Sequence, residues 1–248
     1  MTTDVVQEHY RRLSSNYNDL LSYSPDFVRC LTSHMIEKLR LHEDDVLVDL
    51  GCGTGIYSLD IIRQVPLREP VIAVDPFEEM LRHIPAEAPM QRVAEDAVSF
   101  TSRPGQYNKV LMKEAIHHIR ERRQLFQDLY ERLPSGGIAL LVHVPPRVDY
   151  PLFSRALERC LTWHADPDEL VGLLDGTGFD VERDGVDYRH TIPKDRYIEM
   201  VRNCYMSVLS SFEPDEIEAG VAEIEERYAG QDTLRFTDHF DYLTAVRP

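Results

Sequence analysis

The feature that most constrains the fold of this chain is a regular alternation of short apolar segments with longer amphipathic ones. Four runs rich in Val, Ile and Leu predict buried strands, at Val46–Leu50, Val71–Asp75, Val110–Met112 and Ile138–Val142. Segments with helical spacing of apolar residues separate these runs. This alternation is typical of a parallel sheet that helices cover on both faces. It predicts a doubly wound, Rossmann-like α/β fold with a mostly parallel seven-stranded sheet.

The segments on either side of these strands complete the predicted organisation. Apolar spacing predicts helices over about Val5–Arg40, before the sheet. After the fourth strand, the pattern predicts three helical segments and two strands: Tyr150–Trp163, Pro167–Leu174 and Lys194–Tyr228, and Phe179–Tyr188 and Phe240–Val246. We interpret residues 1–248 as one domain, made of an N-terminal helical cap (1–42), a cofactor-binding core (43–190), a helical insertion (191–232) and a final strand (233–248). The insertion is expected to cap the crevice at the strand ends, where ligands of open α/β sheets bind.

Composition limits the classes of partner. The formal net charge of −16 would repel a phosphate backbone, so a nucleic-acid substrate is disfavoured. No stretch approaches the roughly 20 apolar residues of a membrane-spanning helix, and the N-terminal sequence does not resemble a secretory signal. The four cysteines lack the spacing of a zinc site. We therefore expect a cytoplasmic protein, monomeric or homodimeric, without nucleic-acid, membrane or metal partners.

The strongest local signal is the run DLGCGTG, from Asp49 to Gly55, where the first strand turns into a helix. Glycines at such a turn allow the backbone to approach a ligand closely. Ile56 stands where a dinucleotide-binding loop has its third glycine, and the Lys and Ser or Thr of a P-loop are missing. Asp49 would repel a pyrophosphate but attract the ammonium and sulfonium groups of S-adenosylmethionine (SAM). The loop therefore favours SAM over a dinucleotide.

A second carboxylate, Asp75, ends the next strand 20 residues beyond Gly55, where it can accept hydrogen bonds from both hydroxyls of a ribose. Asp75 lies in the second of three segments that resemble the first three motifs of class I SAM-dependent methyltransferases: VLVDLGCGTGIYSLDI, VIAVDPFEEML and AEDAVSF. The resemblance covers about Val46 to Val144 and implies that SAM is the cofactor. The alternative is a glycine loop followed by two unrelated acids at strand ends.

The resemblance also implies roles for individual residues. Asp49 would bind the amino group of the methionine part of SAM, and Asp75 would bind the ribose. Gly51 and Gly53 would pack beside the cofactor. The residues implied at the adenine end are Phe77 or Met80, which would flank the ring, and Asp96 with its neighbour Ala97, which would meet the exocyclic amine.

The segment NKVLMKEAIHHI occupies the place of the family's fourth motif, which implies that its polar residues lie near the methyl end of SAM. Lys113 is counted with the cofactor-binding residues, and a local ion pair with Glu114 is the alternative. A neutral histidine can accept a proton from a hydroxyl or an amine, so His117 or His118 is a candidate general base. Because adjacent side chains point in different directions, we expect only one to act, with His118 preferred. Alternatively, one packs against the sheet and the other is solvated.

The remaining candidates would surround the acceptor. The segment SNYND resembles the N-terminal Tyr-Asp segment of many small-molecule methyltransferases, which implies that Tyr17 covers the cofactor. The candidate substrate-binding residues are His143 and Arg147, after the fifth strand, and Tyr188 and Tyr197, in the cap. For each of them, a role in packing or at the surface is the alternative, because aromatic side chains frequently serve packing alone.

These observations predict a SAM-dependent methyltransferase that transfers a methyl group to an O, N or C atom of a small molecule. Two alternatives stay open, because motifs of the cofactor site do not distinguish them. One is an enzyme that uses the aminocarboxypropyl chain of SAM, by transfer or cyclisation, and releases methylthioadenosine. The other is a non-catalytic SAM-binding module.

Overall fold

The computed structural model describes residues 24–248, and the seven strands of this part of the chain form one sheet. The strands are β1 (Leu47–Leu50), β2 (Val71–Val74), β3 (Met90–Val93), β4 (Lys109–Lys113), β5 (Ile138–His143), β6 (Asp180–Pro193) and β7 (Thr233–Val246). Their order in the sheet is β3-β2-β1-β4-β5-β7-β6. The order reverses direction between β1 and β4, and ligands of open α/β sheets bind at such a switch point.

Helices connect most of the strands. They are α1 (Pro25–Leu39), α2 (Ile56–Gln64), α3 (Glu78–Leu81), α4 (Ala97–Thr101), α5 (Arg122–Arg132), α6 (Ser154–Trp163), α7 (Pro167–Asp175), α8 (Lys194–Arg202) and α9 (Pro214–Arg227), with 3-10 helices at Ile116–His118 and Ser207–Ser211. Helix α1 begins with Pro25 after the cap residue Ser24, whose hydroxyl accepts a hydrogen bond from the N–H of Phe27. The predicted helices before Ser24 lie outside the described residues.

Strands β1 to β5 pair in parallel, and β7 runs antiparallel to β5. Ile138 lies opposite Val246 and His143 lies opposite Asp241. Every residue of β1 and β5 is buried, as expected of strands covered on both faces. The predicted Rossmann-like, mostly parallel seven-stranded sheet is thereby confirmed.

Several boundaries differ from the prediction for identifiable reasons. We predicted no strand at β3, because the exposed polar residues Gln91 and Arg92 interrupt its apolar pattern. Strands β6 and β7 are longer than predicted, because polar residues on their exposed positions continue the strands beyond the apolar runs. The helical segment predicted at Lys194–Tyr228 is divided into α8 and α9 by the 3-10 helix Ser207–Ser211. Helix α6 begins at Ser154 and not at Tyr150.

The described residues divide into two compact units. The larger unit comprises 24–143, 165–186 and 240–248, and its core packs side chains such as Val48, Val110, Phe126 and Leu141 around the sheet. The smaller unit comprises 144–164 and 187–239 and contains α6, α8 and α9. The interpretation of 1–248 as one domain with a capping insertion stays a prediction. Within residues 24–248, no helix combines the length and apolar character needed to span a membrane.

Candidate functional site

The glycine loop between β1 and α2 is attached to the end of β2. The N–H groups of Gly51 and Cys52 both donate to the carbonyl of Val74, at 2.8 and 3.1 Å. Gly51, Gly53 and Gly55 have φ angles of +75°, +55° and +73°, in the left-handed region that favours glycine. The loop therefore holds a fixed conformation at the carboxyl ends of β1 and β2.

The three glycines of this loop differ in their surroundings. A methyl group built on Gly51 would lie 2.5 Å from Cβ of Ala115, and one built on Gly55 would lie 2.9 Å from Cγ1 of Ile84. Neither position has space for a side chain. A methyl group on Gly53 would meet only Cε of Met80, at an ordinary contact distance of 3.5 Å. Gly51 and Gly55 therefore serve close packing within the fold, whereas Gly53 has space beside it.

Asp49, on β1, is a buried carboxylate that is 3% exposed. Its Oδ2 accepts a 2.6 Å hydrogen bond from the hydroxyl of Ser58, in the first turn of α2. Burial raises the pKa of Asp49 to about 7; the bond from Ser58 lowers it, and the negative charge of Asp75 raises it further. A bound cation would favour the charged form of this carboxyl group.

Asp75 follows β2 and links two backbone segments. Its Oδ2 accepts from the N–H of Gly53 and its Oδ1 accepts from the N–H of Phe77, each at 2.9 Å. Burial raises the pKa of Asp75 to about 6, although both backbone hydrogen bonds lower it. Each carboxylate oxygen can accept a second hydrogen bond. Asp75 can therefore hold the glycine loop and still bind hydroxyl groups of a ligand.

The residues that the family resemblance implies at the adenine end of SAM lie at α3 and α4 of the larger unit. Phe77 is half-buried before α3, and Met80 is buried within α3. Asp96 is the N-cap of α4: its Oδ1 accepts from the N–H of Ser99 at 2.9 Å, and its Oδ2 accepts from the Ser99 hydroxyl at 2.5 Å. Burial raises the pKa of Asp96, but the hydrogen bonds from Ser99 outweigh it and the net shift is downward. Ala97 begins α4, and the role of both residues at adenine stays a prediction.

Lys113, the last residue of β4, contacts two aromatic rings. Its Nζ lies 4.8 Å from the ring centroid of Tyr57 and 5.1 Å from that of Phe240. The next residue, Glu114, has a φ of +55° and donates its N–H to the carbonyl of Val142 at 2.8 Å. A positive φ is uncommon for a residue with a side chain, and such backbone strain is concentrated at functional sites.

His117 and His118 lie in the 3-10 helix Ile116–His118 that follows, and their ring centroids are 4.0 Å apart with an angle of 51° between the planes. The expectation that the two side chains point in different directions is therefore wrong. That expectation considered only the directions in which adjacent residues leave the backbone, whereas rotation about the side-chain bonds brings these rings together. Whether one or both act as a base stays a prediction.

Two of the candidate substrate-binding residues lie at the carboxyl end of β5 and in the segment that follows it. His143 is the buried last residue of β5, within the larger unit. Arg147 is exposed and belongs to the smaller unit. Tyr17, the predicted cover of the cofactor, lies outside the described residues.

The other two candidates, Tyr188 and Tyr197, belong to an aromatic group of the smaller unit. Tyr188 is half-buried, with its ring centroid 4.9 Å from that of His190. His190 in turn shares a 2.7 Å hydrogen bond with Asp238. Tyr197 is fully buried, its hydroxyl lies 3.2 Å from that of Tyr205, and burial raises its pKa well above the usual range. Its surroundings are those of a core residue, and its role in substrate binding stays a prediction.

Three residues of this site were missed by the sequence analysis. Tyr57 and Ser58, in the first turn of α2, contact Lys113 and Asp49, and Ala115 meets Gly51. The available signal is position alone, because the first turn after a glycine loop faces the ends of the neighbouring strands. No sequence pattern predicts the contact between Ala115 and Gly51, because this contact depends on the placement of β4 beside β1 in the sheet.

The described residues fit SAM. The buried carboxyl group of Asp49 suits an ammonium ion, because a cation replaces the solvation that burial removes. The oxygens of Asp75 retain acceptor capacity for ribose hydroxyls. The space beside Gly53, whose N–H donates to Asp75, allows a ligand to approach the backbone of the loop.

Known proteins share both the sequence signature and the fold. A family profile described as a methyltransferase domain matches residues 47–137. The ubiquinone biosynthesis O-methyltransferase of Rickettsia bellii is 23% identical over 169 residues, which cover 60% of this chain and 69% of the relative.

Two solved structures show the same fold. A protein of Anabaena variabilis, assigned as a methyltransferase of an antibiotic biosynthesis pathway, is 20% identical with a TM-score of 0.65, covering 86% of this chain and 95% of that one. Phosphoethanolamine N-methyltransferase 2 of Haemonchus contortus, in complex with phosphomonomethylethanolamine and S-adenosylhomocysteine, is 18% identical with a TM-score of 0.58. The match covers 88% of this chain and 52% of that enzyme, so the chain spans about half of its length.

The matched profile contains the glycine loop, Asp75, Asp96 and the histidine turn within a single segment. The fold built on this sheet is similar to that of the Anabaena variabilis structure, with a TM-score of 0.65. With this fold, this segment and its two buried carboxylates, the chain is a class I SAM-dependent methyltransferase.

Proposed function

We propose that this methyltransferase transfers the methyl group of SAM to an O, N or C atom of a small molecule. The observation that carries the proposal is the pair of buried carboxylates, Asp49 and Asp75, together with the open glycine position Gly53, whose N–H donates to Asp75. Two similar proteins are named for small acceptors, one for O-methylation in ubiquinone biosynthesis and one for N-methylation of phosphoethanolamine. Because their acceptor atoms differ, these names support the class of acceptor and leave the atom open.

The cofactor would be held by residues of the larger unit. Asp49 would bind the ammonium group of SAM, and Asp75 would accept from the ribose hydroxyls while it keeps Gly53 in place. Phe77 or Met80 would flank the adenine, and Asp96 with Ala97 would meet its amine. When bound, SAM supplies a methyl group on a sulfonium leaving group that needs no further activation.

The chain itself would contribute alignment and, for some acceptors, proton removal. Holding the acceptor in line and away from water supplies much of the acceleration of such a displacement. For an acceptor hydroxyl, His117 or His118 would accept the proton. The acceptor would contact His143, Arg147, Tyr188 and Tyr197, with Tyr17 covering the cofactor. We further propose a cytoplasmic monomer or homodimer that acts on neither nucleic acid nor membranes.

Product analysis tests this proposal. The purified protein is incubated with SAM carrying a labelled methyl group and with a panel of phenols, amines, carboxylic acids and quinols. We expect S-adenosylhomocysteine and one labelled product, and a slower reaction with Asp49→Asn, which keeps the side-chain volume without the charge. Methylthioadenosine as the product would establish the aminocarboxypropyl alternative. Tight SAM binding without consumption of SAM by any acceptor class would favour a non-catalytic module.

A further inference from the structure

A buried carboxylate that the proposed SAM site does not use joins helices α1 and α2. Asp60, in the middle of α2, is 6% exposed. Its Oδ2 accepts a 2.5 Å hydrogen bond from the hydroxyl of Thr32, on α1, and a 2.8 Å bond from the side-chain amide of Gln64, one turn further along α2. The same amide donates to the Thr32 hydroxyl at 2.7 Å. We call these three side chains, Thr32, Asp60 and Gln64, the α1–α2 network.

Burial of this carboxylate needs an explanation beyond packing. The Oδ1 of Asp60 forms an ion pair with Arg29 at 3.1 Å, and the Arg29 side chain is half exposed. Replacing a buried ion pair by apolar residues of similar volume often stabilises a protein, so packing alone would favour an apolar contact between α1 and α2. Hydrogen bonds add direction, which apolar contacts lack. The α1–α2 network therefore fixes how α2 is rotated about its own axis.

The rotation of α2 also determines a contact on another side of this helix. Ser58 precedes Asp60 by two residues, and its hydroxyl donates a 2.6 Å hydrogen bond to Asp49 on β1. Residues two apart in a helix lie on nearly opposite sides of it, at 3.6 residues per turn. The N-cap of α2 is Gly55, which has no side chain to hold the start of the helix. A rotation that broke the bonds of Asp60 would therefore also displace Ser58 from Asp49.

Ser58 is the neighbour that stabilises the charged form of Asp49. Burial raises the pKa of Asp49 to about 7; the hydrogen bond from Ser58 lowers it, and the charge of Asp75 raises it. The buried thiol of Cys52 also interacts with Asp49, and burial raises the pKa of this thiol. Displacement of the Ser58 hydroxyl would therefore raise the pKa of Asp49 further.

We propose that Thr32, Asp60 and Gln64 are positioning residues for SAM binding, because they set the rotation of α2 and thereby hold the Ser58 hydroxyl on Asp49. The network acts through Ser58 and does not itself contact SAM. This inference rests on the proposed function only in taking SAM as the ligand. Helix α1 lies outside the matched methyltransferase profile, which begins at residue 47. The inference makes this helix a part of the cofactor-binding machinery.

Thr32→Val tests the inference, because it removes the hydroxyl with little change in volume and none in charge. Two quantities are measured: the titration midpoint of the Asp49 carboxyl carbon by ¹³C NMR without SAM, and SAM affinity by calorimetry at pH 7. We expect the midpoint to rise by about 0.5 pH unit and the affinity to fall about threefold. Thr32→Ser keeps the hydroxyl and should behave like the wild type. In a Ser58→Ala background, Thr32→Val should change neither quantity further, since both residues act through one contact.

A control separates this role from a general loss of stability. Leu125→Ala removes a buried side chain from α5, in the core cluster that contains Phe126 and Leu129. It should lower the thermal midpoint and leave the Asp49 titration and SAM affinity unchanged. Gln64→Met, which also removes a network hydrogen bond without a change in charge, replaces Thr32→Val if the latter does not fold.

Three outcomes are informative. A Thr32→Val protein of lower thermal stability, with an unchanged Asp49 midpoint and SAM affinity, would show that the network serves stability alone and would overturn the inference. Equal effects of Thr32→Val with and without the Ser58 hydroxyl would also overturn it, because the network would then not act through Ser58. Failure of the wild-type protein to bind SAM would refute the proposed function, whereas the NMR midpoints would still decide whether the network positions Ser58.

Discussion

The hydroxyl of Ser58 donates a 2.6 Å hydrogen bond to the carboxylate of Asp49. This bond joins the first turn of α2 to β1 across the glycine loop. It also opposes the effect of burial, which raises the pKa of Asp49 to about 7. The charge state of Asp49 therefore depends on one neighbouring hydroxyl group, and this dependence can be measured.

We expect SAM affinity to fall as the pH decreases from 8 to 6, because protonation of Asp49 removes the charge that attracts the ammonium of SAM. Ser58→Ala should shift the midpoint of this profile to higher pH, since the lost hydrogen bond stabilises the charged form. At pH 7 the loss of affinity should be about tenfold. Calorimetric titration at several pH values measures the profile, with the exposed Ser33→Ala as the control. Identical profiles for wild type and Ser58→Ala would contradict this role of Ser58.

Asp49→Asn should stabilise the protein in the absence of SAM at pH 8. The pKa of Asp49 is about 7 in the folded state, above the unfolded value of about 3.9, so the folded state binds more protons between these values. The contribution of Asp49 to stability is therefore lost as the pH rises from about 4 to 7. At about 1.4 kcal/mol per pKa unit, the variant should gain up to about 4 kcal/mol at pH 8. Urea denaturation at pH 8 and pH 4 measures the gain, which should vanish at pH 4; a variant no more stable at pH 8 would refute the argument.

Asp75→Ala should weaken SAM binding by about 10- to 100-fold, the loss expected when hydrogen bonds to a charged acceptor are removed. The substitution also leaves the N–H groups of Gly53 and Phe77 without their acceptor, so the thermal midpoint should fall as well. Asp75→Asn keeps one acceptor oxygen and should show a smaller loss. Calorimetry together with thermal denaturation separates the two effects. A folded Asp75→Ala protein with unchanged SAM affinity would exclude the ribose assignment.

Gly51→Ala and Gly53→Val should fail in different ways. The added methyl group at position 51 overlaps Ala115, so Gly51→Ala should destabilise the fold, and Ala115→Gly in the same chain should restore part of the loss. Gly53→Val places its side chain in the open space of the loop and should block SAM binding. It should also lose stability, because a φ of +55° disfavours a β-branched residue, but it creates no overlap that a second substitution could relieve. Thermal denaturation and calorimetry of the four proteins test this difference. Normal SAM affinity of Gly53→Val would contradict the placement of the cofactor.

Replacement of the catalytic histidine by Ala should lower kcat for a hydroxyl acceptor by about 10²–10⁴-fold with little change in SAM affinity. Because the rings of His117 and His118 lie 4.0 Å apart, the other variant should also lower kcat, by less than about tenfold, through loss of packing. The double variant should then lose less than the product of the two single effects. Saturation kinetics of the three variants measure this. Full kcat in both single variants would mean that catalysis depends on alignment and not on a base.

The central part of the fold could be predicted because its strands carry their own signal. Strands buried on both faces, such as β1 and β5, are continuous apolar runs, and the glycine loop marks the end of β1. The peripheral strands gave weaker signals. Strand β3 exposes Gln91 and Arg92, and β6 exposes alternate residues along its length, so polar side chains obscured the presence of β3 and the ends of β6.

The residues of the candidate site also differ in whether the sequence alone could predict them. Asp49, Gly53 and Asp75 belong to local motifs, so their positions in the chain were enough to predict that they lie together. The contacts of Lys113 were not predictable, because Tyr57 and Phe240 are remote in sequence and meet it only when α2, β4 and β7 are assembled. The left-handed conformation of Glu114 could not be predicted either, because such a conformation is expected at glycine and this residue is not a glycine.

The place of β7 in the sheet has a consequence for the growing chain on the ribosome. Within the part of the chain described, β7 is the strand that pairs with the outer edge of β5, yet residues 144–232 are synthesised between the two. At about 5–20 residues per second, translation leaves this edge without its partner for several seconds. An unpaired apolar strand is a template for pairing with other chains. The sheet is therefore most vulnerable to aggregation during this interval, when chaperones have the greatest opportunity to act on it.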